Sequence, residues 1–181
     1  MKIGGQKMFE KGSYVTYRSE GVCIITDIRK ENFGAVEGDD DYYILAPIND
    51  MKSTVFVPVN NENLVGYMRH LLSADELNSI VSELSNERMD WIPENRARNM
   101  AFRQVISVGD RKELIVLLNT LYDKLDEMKK TGKRPGTTEQ GALAKAEKLI
   151  YEEFSVTTDI SSQEKVKELL RGFITLAPKQ S

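Results

Sequence analysis

Hydrophobic and polar positions follow two different rhythms along this chain, and the rhythm changes near Gly66. Before that point, short runs rich in β-branched and aromatic residues alternate with turn residues. The runs are 13–17, 21–28, 41–46 and 53–57, the last stopped by Pro58. The connectors at 18–21 and 37–41 carry the Ser, Glu, Gly and Asp residues of hairpin turns. Four or five short strands in about 60 residues predict a small curled sheet or barrel of the SH3 or Tudor kind. Closing such a sheet protects its edges from pairing with other chains.

Beyond Gly66 the period becomes helical. Ser73 with Glu76 forms a capping-box pattern that opens a helix over 74–84. Pro93 suits the first position of a helix over 93–106, with Met100, Val105 and Ile106 as its apolar positions. Asp110 with Glu113 opens the strongest helix, 111–130. Its Leu114, Leu117, Leu118, Leu121, Leu125 and Met128 recur at three- and four-residue spacing, and Gly132 and Pro135 end it. A further helix starts near Thr138 and runs through Leu143, Ala146, Leu149, Ile150 and Phe154. Ser161 with Glu164 caps a last one, with Val166, Leu169, Leu170 and Phe173 facing inward. The prediction is an α+β chain of two domains: an SH3/Tudor-like β-barrel over 8–66 and a compact all-α bundle of about five helices over 67–179. Residues 1–7 lie outside both and read as a flexible or added leader.

Composition narrows the function. The chain has 181 residues, 40% hydrophobic and 29% charged, as in ordinary soluble proteins. No run reaches the roughly 18 apolar residues of a membrane span. The opening MKIGGQK lacks the apolar core of a secretory signal, so a cytoplasmic protein is expected. A lone Cys23 excludes an intramolecular disulfide and a Cys-based zinc cluster. The net charge is -3, which argues against a histone-like DNA coat. That average conceals a gradient. Residues 1–66 hold seven basic and ten acidic residues, a net of -3, and residues 67–181 hold 18 of each. Within the second part, 96–134 holds ten basic residues against five acidic, a net of +5. Screening confines electrostatic reach to about 8–10 Å, so this local balance governs contact with a polyanion. The stretch reads either as solvated helix faces or as a phosphate-contacting surface.

Catalytic signatures are missing. There is no phosphate loop, no Gly-rich dinucleotide turn and no Ser or Cys nucleophile in a recognisable setting. His70 is the only imidazole. Cys23 sits in an apolar run and reads as a buried strand thiol. The acidic run over 37–41 lacks the spacing of a calcium loop. No catalytic residue, metal, cofactor or small-molecule substrate is expected, and the chain is not expected to be an enzyme.

The spacing of Phe9, Gly12, Val15, Tyr17, Gly21, Val22 and Ile25 resembles the opening of the CarD/CdnL family of bacterial transcription regulators. That module is shared with the RNA-polymerase-interacting domain of transcription-repair coupling factor. Val57-Pro58, Asn61 and Val65-Gly66 are similar to the family's fourth strand and its exit. The helical half adds a Trp near its start, Arg residues just after it, Gly109-Asp110 opening a long helix, and Ala144, Ala146 and Leu149. The chain departs from the family pattern at Gly66-Tyr-Met-Arg69, one residue longer than Gly-x-Arg, and at Phe56, often basic or Met in relatives.

The resemblance implies that the N-terminal domain binds the RNA polymerase β subunit edge strand to edge strand. Here this points to Thr54, Val55, Phe56, Val57 and Pro58, with Arg29 and Lys30 on the adjoining strand. Alternation turns part of the set, Val55 and Val57, toward the barrel core. It also implies that the helical domain sits on promoter DNA at the upstream edge of the melted bubble. A Trp wedges into the minor groove there and basic side chains hold phosphates, which together stabilise the open complex. The corresponding residues are Trp91, Asn95, Arg96, Arg98, Arg103, Arg111 and Lys112. Residue by residue, Trp91 admits two roles: a core Trp pinning the first two helices, or the wedge. A different reading of the whole chain is a protein-only adaptor, with a Tudor-like domain and a helical docking or dimerisation domain.

Overall fold

The computed structural model describes residues 9–32 and 40–179. The expected leader over 1–7, and the expected 37–41 turn up to residue 39, lie outside the described residues. The chain divides into two compact units between His70 and Leu71, four residues beyond the boundary anticipated at Gly66.

The first unit is a five-stranded antiparallel sheet: β1 (Tyr14–Tyr17), β2 (Val22–Glu31), β3 (Asp40–Pro47), β4 (Val55–Pro58) and β5 (Met68–His70). The strand order is β4-β3-β2-β1-β5. Each hairpin pairs neighbours in sequence, and β5 returns to β1 with Thr16 opposite Arg69. β5 is why the unit extends past Gly66: three residues with no strand pattern of their own take up the vacant side of β1. The 18–21 connector is a single 3-10 turn, closed by Gly21 at φ 72, a conformation that a Cβ would strain. A register shift between Ile25 and Asp27 bends β2. One face of the sheet carries the core of Phe9, Val15, Tyr17, Cys23, Ile25, Tyr43, Leu45, Val57 and Met68. Among the described residues β4 and β5 are not paired with each other, so the sheet curls without a closed hydrogen-bonded barrel.

The second unit is helical: α2 (Ala74–Glu83), α3 (Asn95–Val108), α4 (Arg111–Lys130), α5 (Thr137–Thr157) and α6 (Glu164–Leu170). A single turn, α1 (Glu62–Val65), belongs to the first unit. The Ser73–Glu76 capping box forms, with Ser73 N–H donating to Glu76 at 2.8 Å. α4 spans the expected residues and is the central helix, burying Leu114, Ile115, Leu117, Leu118, Leu121 and Tyr122. Asp110 caps it by accepting from the N–H groups of Lys112 and Glu113. Buried Asn119 donates to Leu84 O at 2.9 Å and so satisfies a carbonyl at the end of α2.

Four local expectations are corrected. Met100 is 66% exposed and Phe102 is buried instead, because at about 100° per residue Met100 points away from the face shared by Phe102 and Ile106. Pro93 precedes the helix, whose cap is Glu94. α6 starts at Glu164 without a side-chain cap, so no Ser161 capping box forms. Phe173 is 77% exposed, since Gly172 at φ +74 turns the chain out of the helix before it. Among the described residues no helix is long and apolar enough to cross a membrane.

Candidate interaction surfaces

The first surface is the β4 side of the sheet. β4 stands at one end of the strand order, with β3 as its single strand neighbour among the described residues. Tyr42, Tyr43, Ile44 and Leu45 of β3 face Pro58, Val57, Phe56 and Val55. Val59 N–H donates to Asp41 O at 2.8 Å. The hydrogen-bonded positions therefore fall at 55, 57 and 59, and the backbone at 54 and 56 is directed to the side opposite β3. The side chains split in the same rhythm. Val57 is fully buried and Val55 packs against the core, while Thr54 and Phe56 are exposed. Phe56 packs edge-on against Tyr42, with ring centroids 6.4 Å apart. Pro58 is half-buried and its carbonyl accepts from Asn61 N–H at 3.1 Å.

Arg29 and Lys30 are exposed on β2, and β2 does not adjoin β4. β3 lies between them, so these residues stand two strands, about 10 Å, from the edge. The ladder aligns Arg29 with Tyr42 and Tyr42 with Pro58, which puts Arg29 on the outer face near Tyr42. Its guanidinium is paired with Glu31 at 2.6 Å and Asp27 at 3.4 Å.

The second surface is built at the start of α3. Trp91 is half-buried: it packs on the helical core and lies 6.3 Å from the Phe102 ring. Two cations stand by its ring, the Arg98 guanidinium at 4.7 Å and Lys124 Nζ at 5.5 Å from the centroid. Asn95 is exposed and its Oδ1 accepts from Arg98 at 3.1 Å. Arg96 is exposed on the same turn, with no acidic partner among the described residues. Arg103 lies seven residues on, about 10 Å along the helix. It borders a cleft of 230 Å³ between α3 and α5 whose rim also holds Asn99, Thr137, Thr138 and Lys145. Glu94 caps α3, and the N–H groups of Ala97 and Arg96 hold its carboxyl below the usual carboxylate range. The amides of Arg96 and Ala97 are thus already occupied by this carboxylate, which leaves the side chains as the principal groups for an anion to meet.

Two of the expected phosphate contacts are engaged in buried ion pairs. Arg98 and its partner Glu139 are 11% and 4% exposed, 2.8 Å apart. Arg111 and Glu153 are buried to the same extent, with Arg111 Nε donating to Glu153 at 2.7 Å. Turning either guanidinium to a phosphate would strand a buried carboxylate. Arg111 and Lys112 also stand at the far end of α3, about 20 Å along its axis from Trp91. Lys112 is exposed and paired with Glu83 at 3.2 Å. The structure therefore assembles Trp91, Asn95, Arg96 and Arg98, adds Lys124, and sets Arg111 and Lys112 apart. Lys124 and Lys145 were not singled out from the sequence, where charge was their one signal.

Comparison with known proteins bears on the first unit. No curated protein matches the chain. Residues 9–72 match the family model of the CarD-like/TRCF RID domain, a match that covers the sheet and ends before the first long helix. Residues 9–72, which hold the sheet that ends on β4, thus form a CarD-like/TRCF RID domain, the domain for interaction with RNA polymerase that is shared with transcription-repair coupling factor.

Proposed function

We propose that the chain stabilises the open promoter complex by holding the polymerase β subunit with one unit and promoter DNA with the other. β4 adds to an edge strand of the β subunit, where backbone groups supply affinity and the exposed side chains of Thr54 and Phe56 supply selectivity. The helical unit lies at the upstream edge of the bubble. Trp91 enters the minor groove at a distorted step and opposes its closure. Arg96, Arg103 and Lys124 face phosphates and position the wedge without reading sequence.

The observation that carries the DNA half is the grouping of a half-buried Trp with cations on one rim of the bundle. A core Trp pinning two helices would be enclosed by apolar side chains. Trp91 instead has Phe102 as a ring partner and charged groups beside it. Joining two weak contacts in one chain raises the effective concentration of each at the other's site. The shift in the melting equilibrium equals the difference in affinity for the open and closed states. No bond is made or broken, so the protein acts as a binding factor in the cytoplasm rather than as an enzyme.

Full-length Phe56→Asp and Trp91→Ala separate the halves. Phe56→Asp should lose binding to polymerase and to the β subunit alone, with its circular dichroism unchanged. Trp91→Ala should keep both interactions. Retained binding of Phe56→Asp at wild-type affinity would remove β4 as the polymerase edge.

A further inference from the structure

We infer that Arg98 is a positioning residue that sets the plane of Trp91, anchored by Glu139, and that it holds no phosphate. The inference rests on the reading of Trp91 as a wedge and adds how the wedge is aimed. Trp91 lies outside the helices, on the segment between α2 and α3. A ring on such a segment presents one defined edge to DNA only if both the ring and the backbone beneath it are fixed.

Arg98 does both. Its Nη1 donates to Ile92 O at 2.8 Å and to Pro93 O at 2.9 Å, the carbonyls of the two residues that follow Trp91. Its Nη2 donates to Asn95 Oδ1 at 3.1 Å, and its Nε donates to Glu139 Oε1 at 2.8 Å. All three nitrogens thus have protein acceptors, and the guanidinium plane lies beside the Trp91 ring. Glu139 is 4% exposed on the first turn of α5, so the fork ties the Trp segment to a second helix. A planar five-donor group can serve a ring, two carbonyls, an amide and a carboxylate together; an ammonium cannot.

This role and a phosphate role predict opposite behaviour for Arg98→Lys. A lysine keeps the charge that a phosphate needs and loses the fork that the Trp segment needs. Trp91 is the single Trp of the chain, so fluorescence reports on it directly. In the free full-length protein, Arg98→Lys and Glu139→Gln should raise acrylamide quenching of Trp91 about twofold and lower its anisotropy. Arg96→Gln should leave both unchanged. In promoter complexes with polymerase, Arg98→Lys should shorten the open-complex lifetime toward that of Trp91→Ala while the salt dependence stays at the wild-type slope. Arg96→Gln should instead reduce that slope by about one, as loss of a phosphate contact does.

Wild-type quenching and lifetime in Arg98→Lys would overturn the inference. A reduced salt slope in Arg98→Gln with unaltered Trp91 emission would overturn it in favour of a phosphate ligand. If Trp91→Ala itself leaves the lifetime unchanged, the wedge reading fails and the role of Arg98 in aiming it fails too. A short lifetime in Trp91→Ala beside a wild-type lifetime in Arg98→Lys removes the positioning role alone. Circular dichroism of Arg98→Lys, which retains a cation opposite Glu139, checks that the bundle is intact.

Discussion

Arg111→Ala tests whether the helical unit spends its arginines on its own structure. Arg111 and Glu153 join the start of α4 to the last turns of α5, with side chains 11% and 4% exposed. Truncating the arginine leaves a carboxylate in a site built to hold an ion pair. Removing one partner of such a pair costs about 3–5 kcal/mol. With a urea slope of about 2 kcal/mol/M, the unfolding midpoint should fall by roughly 1.5–2.5 M. Far-ultraviolet circular dichroism is the suitable probe because the helical unit dominates that signal. The double variant Arg111→Met, Glu153→Leu removes both charges and should regain the wild-type midpoint or exceed it, since well-packed apolar replacements of buried pairs are often neutral or stabilising. A midpoint shift below about 0.5 M in Arg111→Ala would contradict this account. Arg111 would then be a spare cation, available to a phosphate.

Three further outcomes follow from the same structure. Burial of Glu152, whose Oε1 has no hydrogen-bond partner among the described residues and lies 3.5 Å from Lys148 Nζ, pushes its carboxyl above the usual range. Its ionised form therefore penalises folding at neutral pH, and Glu152→Gln should raise the thermal midpoint there. That gain should vanish as pH falls below about 4.3, where the unfolded state is protonated too. Glu94 has the opposite sign: its depressed folded-state value stabilises the protein above the ordinary carboxylate range and stops doing so as pH falls through the lower value. Thermal melts of Glu94→Ala against pH should show a deficit at neutral pH that closes in acid. Gly109 ends α3 at φ 67, so Gly109→Ala should cost about 1 kcal/mol in urea unfolding.

Local rules made much of the fold legible. The α4 leucines with Asp110 before them and Gly132 after them specify a buried helix at every level, and both ends fall where expected. The alternation of Val55, Phe56 and Val57 divides core from surface on β4. What stayed hidden was non-local. β5 forms because β1 has a vacant side, a fact absent from residues 68–70 themselves. Arg98 and Arg111 read as surface cations because arginine is seldom buried without a partner, and their partners lie far along the chain on α5. The same long-range contacts reshaped the candidate DNA surface. Two of its seven members are held in ion pairs with α5, and Lys124 joins from the next helix. The net of +5 over 96–134 therefore overstates the charge available for contact.

The lifetime of competitor-challenged open complexes tests the central claim most directly. Polymerase and promoter are saturated with the full-length wild-type chain or with Trp91→Ala, and the decay of each complex is followed. The wild-type chain should prolong the lifetime. Trp91→Ala, bound equally well to polymerase, should forfeit most of that gain, about tenfold for a wedge contributing ~1.4 kcal/mol. Equal lifetimes for the two proteins at equal polymerase occupancy would contradict the account.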